Sequence, residues 1–182
     1  GLPCFVKPNR SGSSYGVVKV YEKNDLKDAI HTALKEDAQL IIEANLVGME
    51  ISVGAYRLND QVIVLPITEI ISENDFFDYD AKYNGKSQEI TPARLDETTI
   101  DEINSIVKKL FQQFELQGVC RSEFIIVEGT PHLLEVNTIP GLTPASLIPQ
   151  QVSAAGIELA KFFESLLLKN NSHRGCQNSQ LT

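Results

Sequence analysis

The sequence predicts an α+β or α/β fold with a mainly antiparallel sheet. Three observations carry this reading. Strand-like and helix-like segments follow one another in mixed order, without the steady strand–helix repeat of a parallel sheet. Two pairs of apolar runs are each joined by a short polar turn, at Asn59-Asp60 and at Glu128-Gly129-Thr130. Two further segments carry apolar residues at helical period. The 182 residues suit one domain, or one and a part. With 42% hydrophobic and 22% charged residues, the chain has a globular balance and enough length to bury a core.

Taken in order, residues 2–6 form a short apolar strand ending at Lys7-Pro8. NRSGSSYG, residues 9–16, is a Gly/Ser loop, and residues 17–20 restart a strand. Asn24 is placed to cap a helix from residue 25 to about 35, with Leu26, Ala29, Ile30, Ala33 and Leu34 on one face. Residues 40–43 are a strand, ended by the breaker at Val47-Gly48. Residues 50–56 and 62–70 read as a strand pair turned at Asn59-Asp60. SENDFFDYDAKYNGKSQ, residues 72–88, has no periodicity, and a loop of that length is usually a lid, a binding loop or disordered. Asp96 caps the best helix, 97 to about 117. Its stripe is Ile100, Ile103, Ile106, Val107, Leu110 and Phe114, and Gly118 ends it. A hairpin over 119–137 follows, then a Pro/Gly loop over 138–149 and a last helix from 157 to about 168. The polar tail 170–182 is expected to be disordered.

Composition excludes some functions. The formal net charge is −8, so the chain has no basic footprint for nucleic acid, although a local basic pocket for an anion is compatible with it. No apolar run reaches the length of a membrane span. The start has no positively charged region or cleavage site of a secretory signal. Cys4, Cys120 and Cys176 are odd in number, widely spaced and without a metal pattern, which reads as reduced thiols and a cytoplasmic location. The abrupt start inside an apolar segment, without Met, is expected of a fragment that has lost sequence upstream.

The hairpin VCRSEFIIVEGTPHLLEVN carries the chemistry. Alternate strand residues share a face. Arg121, Glu123, Ile125 and Val127 therefore share one, and Leu133, Glu135 and Asn137 share one. A three-residue loop at 128–130 would pair Val127 with Pro131, Glu123 with Glu135 and Arg121 with Asn137. Directly opposed residues bring their Cβ atoms to about 4.5–5.5 Å. Two carboxylates that close destabilise the sheet unless one is protonated or a cation lies between them. Oxygen ligands favour Mg²⁺ or Mn²⁺ over Zn²⁺, and Mg²⁺ takes one or two carboxylates together with phosphates. A solvated hairpin face explains the same acids without a metal, and a one-residue slip of register removes the pairing.

Other segments suit phosphate handling. In NRSGSSYG, Gly12 and Gly16 let the backbone approach a ligand, and Ser11, Ser13 and Ser14 offer hydroxyls. The loop is not a P-loop, which needs Gly-Lys-Ser/Thr before a helix. Glu43 and Glu50 flank the breaker at 46–48, where acids could meet an amine and ribose hydroxyls. Lys82 and Tyr83 lie in the long loop. Each of these has a plainer reading as a turn, a solvated strand end or a solvated lysine.

Together, KPNRSGSSYGVVKV, IIEANLVGMEISV, FDYDAKYNGK, GVCRSEFIIV and LLEVNTIPGLTPASLIP resemble the D-alanine–D-alanine ligase family of the ATP-grasp fold, over nearly the whole chain to about Leu168. The resemblance implies the following. Residues 1–46 are the remainder of the central ATP-grasp subdomain and 47–169 the C-terminal subdomain, with the N-terminal lobe missing. Lys7 contacts the nucleotide near the α-phosphate and adenine. Ser13 and Ser14 cover the phosphates, with Ser13 facing substrate. Glu43 and the backbone through Leu46 hold adenine, and Glu50 holds the ribose. Lys82 reaches the γ-phosphate, and the Lys82-Tyr83 pair favours D-alanine over D-lactate as second substrate. Glu123, Glu135 and Asn137 bind two Mg²⁺ ions, or Mn²⁺, between the phosphates of ATP. Arg121 and the N–H of Gly141 stabilise the oxyanion. Ser146, with Leu147 beside it, receives the second substrate's carboxylate. Two positions depart from the family pattern: Glu123 replaces the usual Asp, and Ala44 stands where many members carry Lys.

The implied reaction, of peptidoglycan precursor synthesis, joins two D-alanines. One carboxylate takes the γ-phosphoryl group of ATP, giving an acylphosphate and ADP. The second amine attacks the acyl carbon, and phosphate leaves. Closure of 72–88 would exclude water. The parent enzyme is expected to be a homodimer, and the fragment itself inactive. Another ATP-grasp carboxylate–amine ligase and a non-catalytic nucleotide-binding module are the alternatives.

Overall fold

The computed structural model describes residues 1–12, 14–72 and 87–169. These divide into two compact units, one built on Gly1–Val47 with residues 71–72 and 87–88, and the other on Gly48–Ile70 with 89–169.

In the first unit, β1 (Cys4–Pro8) lies between β2 (Val18–Val20) and β3 (Leu40–Ala44), antiparallel to both. Helix α1 (Leu26–Glu36) packs Ala29 and Ala33 onto Cys4, Val6 and Val20. The expected cap at Asn24 gives way to a 3₁₀ turn at Lys23–Asp25, so Asp25 precedes the helix without a side-chain cap. Leu34, expected on the apolar face, is 44% exposed.

The second unit is a six-stranded sheet in the order β7-β6-β4-β8-β9, with β5 also paired to β4. Its strands are β4 (Met49–Leu58), β5 (Gln61–Val64), β6 (Thr68–Ser72), β7 (Ser87–Ile90), β8 (Val119–Val127) and β9 (Thr130–Asn137). The run 62–70, read as one strand, is two. β5 pairs with Ala55–Leu58 and β6 with Glu50–Ser52, and the chain crosses between them at Leu65-Pro66-Ile67. Pro66 has no N–H to give a ladder, which is why the strand breaks there.

Helix α2 (Glu97–Gln113) covers one face of this sheet. Asp96 caps it, accepting from the Thr99 N–H at 2.9 Å, as the sequence indicated. Ile103, Val107, Leu110 and Phe111 pack on Ile51, Val53, Ala55, Cys120 and Phe124. The inward aromatic is Phe111, while Phe114 is 62% exposed. The helix also ends earlier than Gly118. Glu115 takes a left-handed φ of 51°, with Leu116 N–H on Phe111 O and Glu115 N–H on Gln112 O, the two bonds of a Schellman turn.

Helices α3 (Leu147–Ala154) and α4 (Leu159–Lys169) cover part of the other face, where Ile148, Val152 and Phe162 meet Tyr56 and Leu65. The Pro/Gly loop expected over 138–149 ends earlier, because α3 starts at Leu147 and includes Pro149 in its first turn. A proline in the first turn loses only an N–H that has no partner inside the helix. Gly156, at φ 70°, turns α3 into α4 with the same pair of terminal bonds. No helix among the described residues is long and apolar enough to cross a membrane. Cys4 and Cys120 are buried free thiols; Cys176 and the tail lie outside the described residues.

Candidate active site

The acidic hairpin acquires its register by two departures that cancel. Its turn is two residues, Glu128 and Gly129, at φ 48° and 80°, so Val127 pairs with Thr130 and not with Pro131. Positive φ at both positions is the hairpin turn whose twist matches the strands, and it explains Gly129. Pairing then runs Ile126 to Pro131 and Phe124 to Leu133. A bulge follows, and Glu123 pairs with Glu135. Leu134 is the extra residue. Below the bulge the expected rungs return: Glu123 opposite Glu135 and Arg121 opposite Asn137. Leu133 and Glu135, expected on one face, pair instead with residues on opposite faces of β8.

The rungs form a compact charge cluster. Arg121 Nε donates to Glu123 Oε1 at 2.5 Å, and Asn137 Nδ2 donates to Glu135 Oε1 at 3.3 Å. Glu123 is buried, at 7% exposure, while Glu135 is exposed. The guanidinium balances one carboxylate and leaves the pair of acids with one negative charge in excess. The oxygen donors are two carboxylates and one amide. Among the described residues no cluster of three or more His, Cys, Asp and Glu forms a metal site by itself. This donor set fits a hard dication that brings phosphate oxygens with it, and it does not fit a closed all-protein cage.

On β4, Ser52 lies opposite Glu123 and Gly54 opposite Arg121, with Glu50 two residues further along the same face. The Ser52 hydroxyl is buried and has no partner among the described residues. An unused donor thus sits beside the buried acid. The other half of this face is closed by α3 and α4.

After Asn137 the chain runs through the loop to Ser146, which precedes α3. Ser146 Oγ pairs with Thr143 Oγ1 at 2.9 Å, and a Cβ on Gly141 would come within 2.7 Å of Ser146 Oγ. Two expected site residues, Gly141 and Ser146, are therefore neighbours, and Leu147 is buried beside them.

In the first unit, Lys7 Nζ and Glu43 Oε2 form an ion pair at 2.8 Å across β1 and β3. Leu46 is half-buried just beyond β3. The Gly/Ser loop is pinned by Asp37, whose carboxylate accepts from the N–H groups of Arg10 and Gln39 at 2.8 and 3.2 Å. The Gln39 N–H, opposed by burial and aided by Arg10, holds the Asp37 carboxyl below its ordinary range. Within the loop, Ser14 has φ 57° and Tyr15 N–H bonds Gly12 O. Ser13, Lys82 and Tyr83 lie outside the described residues.

Sequence reasoning missed Asp37 and Gln151. Asp37 left no periodic signal. Gln151 left one: a polar residue within the helical stripe Leu147, Ile148, Val152.

The family model described as D-ala D-ala ligase C-terminus matches residues 1–168. The chain is 53% identical over 167 residues to a D-alanine–D-alanine ligase of Flavobacterium johnsoniae, covering 92% of this chain and 52% of that protein. Among solved structures, the VanG D-Ala:D-Ser ligase of Enterococcus faecalis superposes with TM-score 0.79 at 31% identity, covering 91% of this chain and 48% of that one. The D-alanine–D-alanine ligase of Bacillus anthracis superposes with TM-score 0.79 at 30% identity, over 96% of this chain and 57% of that one. Its ATP complex does so with TM-score 0.76 at 26% identity, over 96% and 52%. The chain spans about half the length of the relatives that it matches.

Proposed function

The chain belongs to the D-alanine–D-alanine ligase family and carries part of the ATP-grasp fold, and we propose from this that it supplies the ATP, metal and acceptor half of an enzyme that makes D-alanyl-D-alanine. The observation that carries the proposal is the pair of rungs, Glu123–Glu135 and Arg121–Asn137, with its single excess negative charge. Residues 47–169, the C-terminal ATP-grasp subdomain, would contribute the metal, phosphate and second-substrate residues, and 1–46 would be the remainder of the central subdomain.

Glu123, Glu135 and Asn137 would hold Mg²⁺, two ions when ATP is bound, and Mn²⁺ would substitute. The metal, when bound, would neutralise phosphate charge and polarise the transferring phosphoryl group. Lys7, Glu43 and Glu50 would hold the nucleotide. Arg121 is tied to Glu123 here. Its guanidinium lies in the same rung as Asn137 and would serve as the charged donor to the acyl oxygen. Arg121 and the Gly141 N–H would then donate to the oxyanion that forms when the second amine attacks the acylphosphate; phosphate leaves with its bonding electron pair, and the amine loses a proton. Such a donor is worth roughly 10²–10³ in rate. Ser146 and the first N–H groups of α3 suit the acceptor's carboxylate, because a helix N-terminus favours an anion. The parent would be a cytoplasmic homodimer in cell-wall synthesis.

The likeness to a D-Ala:D-Ser ligase favours D-serine as the second acceptor to test. The experiment is phosphate release from ATP and Mg²⁺ by the full-length enzyme, with D-alanine alone or with D-serine or D-lactate, and products identified by mass. D-alanine-dependent release with D-alanyl-D-alanine as product supports the proposal. Release only with another acid–amine pair keeps the ATP site and rejects the substrate. ATP binding without release in any mixture rejects the catalytic reading.

A further inference from the structure

Gln151 is wholly buried, where an amide is costly unless its hydrogen bonds are made. It makes three of the four available to it. Oε1 accepts from Gly54 N–H at 3.0 Å, and Nε2 donates to Ser52 O at 3.0 Å and to Thr68 Oγ1 at 2.9 Å. Thr68 in turn bonds Thr91 at 2.6 Å.

The position of these bonds is informative. β6 accompanies β4 as far as Ser52, and β5 from Ala55. Between them Leu65 N–H reaches Gly54 O, but Pro66 has no N–H, and among the described residues neither β5 nor β6 pairs with Gly54. The carboxamide of Gln151 fills the gap, offering one acceptor and one donor as a peptide unit would. Its approach requires Gly54. A Cβ there would stand 2.3 Å from Gln151 Oε1 and 2.5 Å from Ile148 Cδ1.

The two residues gripped, Ser52 and Gly54, are the register partners of Glu123 and Arg121. The residue that grips them lies one turn into α3, whose preceding residue is Ser146. The neighbouring Gln150 adds a bond to Glu89 at 2.7 Å and one to Ala145 O at 3.2 Å.

We propose that Gln151 is a positioning residue for the acceptor step: its buried carboxamide fixes the helix behind Ser146 to the strand residues that face Arg121 and Glu123. This rests on the ligase reading above. A misplacement of about 1 Å between such groups can cost about 10²-fold.

The test uses the full-length enzyme, first confirmed to release phosphate in response to D-alanine; if the wild type does not, the ligase reading fails, and this one with it. In an active enzyme, Gln151→Met keeps the volume and removes the bonds. The expected result is an acceptor KM raised about 10- to 100-fold, an ATP KM essentially unchanged, and faster hydrogen exchange at the Gly54 amide. Gln151→Glu is the decisive second variant, and stands alone if Gln151→Met does not fold. Its buried carboxyl is expected to titrate near neutrality. Protonated, it can donate to one of the two Nε2 acceptors. Its acceptor KM should therefore improve, relative to wild type, as pH falls from about 8 to about 6. An acceptor KM unmoved in both variants, or ATP and acceptor KM raised together, would overturn the proposal and leave Gln151 a packing residue.

Discussion

A single carboxylate decides most of what the charge cluster can do. Glu135 is exposed, bonded among the described residues to Asn137, and carries the excess charge once Arg121 has balanced Glu123. Replacing it with Gln removes the charge and keeps the shape. Glu135→Gln in the full-length enzyme should keep its melting temperature and lose at least about 100-fold in Mg²⁺-dependent turnover; near-normal turnover would remove Glu135 from the metal set. Glu115 shows a different residue-level effect. It occupies the left-handed position of a Schellman turn, at φ 51°, where Gly156 does the same task at the end of α3 without a Cβ penalty. Glu115→Gly should raise stability by about 0.5–1 kcal/mol in denaturant unfolding. A loss of stability would mean that the Glu115 side chain contributes more than its backbone costs.

The elements are held by a few specific joints. One is the buried Glu69 of β6, gripped by Arg94 through Nε at 2.8 Å and a second nitrogen at 2.5 Å. The Arg94 hydrogen bond, only partly opposed by burial, holds the Glu69 carboxyl below its ordinary range. A carboxyl depressed in the folded state stabilises above its unfolded pKa, about 4.3, and that contribution is lost as pH falls through the folded value. Arg94→Gln should therefore lower stability at pH 7, with the difference from wild type shrinking below about pH 4. A difference that persists undiminished at low pH would assign the effect to packing. Another joint is the apolar seam under α3 and α4. Phe162, at 1% exposure, stacks edge-on to Tyr56 with ring centroids 5.1 Å apart. Phe162→Ala should cost about 3–5 kcal/mol of unfolding free energy, and a loss below about 1 kcal/mol would mean that the seam collapses around the gap.

At the scale of the molecule, the chain spans half of its relatives' length, so the 182 residues by themselves should bind ATP at most weakly and make no D-alanyl-D-alanine; product from this chain alone would sink that expectation. What the sequence determined by itself was the local and the chemical. Alternation and turn residues placed most of the strands and the 59–60 turn, but made the second turn one residue too long, at 128–130 instead of Glu128-Gly129, and left β7 partly inside the segment 72–88 read as loop. Helical period placed the two long helices, and the residue types Arg121, Glu123, Glu135 and Asn137 marked the candidate site. These rest on neighbours in sequence, where side-chain pattern and backbone preference act directly. Tertiary structure decided what depends on partners far along the chain. The bulge at Leu134 restored a register that the turn alone would have slipped. Pro66 divided a strand whose break is closed by Gln151, about a hundred residues away in sequence. Leu147–Ala154 became a helix because its apolar stripe had a sheet face to cover. A hydrogen bond or a packed face between distant residues leaves no periodic trace in sequence, because each half of it is satisfied only when the other half has folded into place.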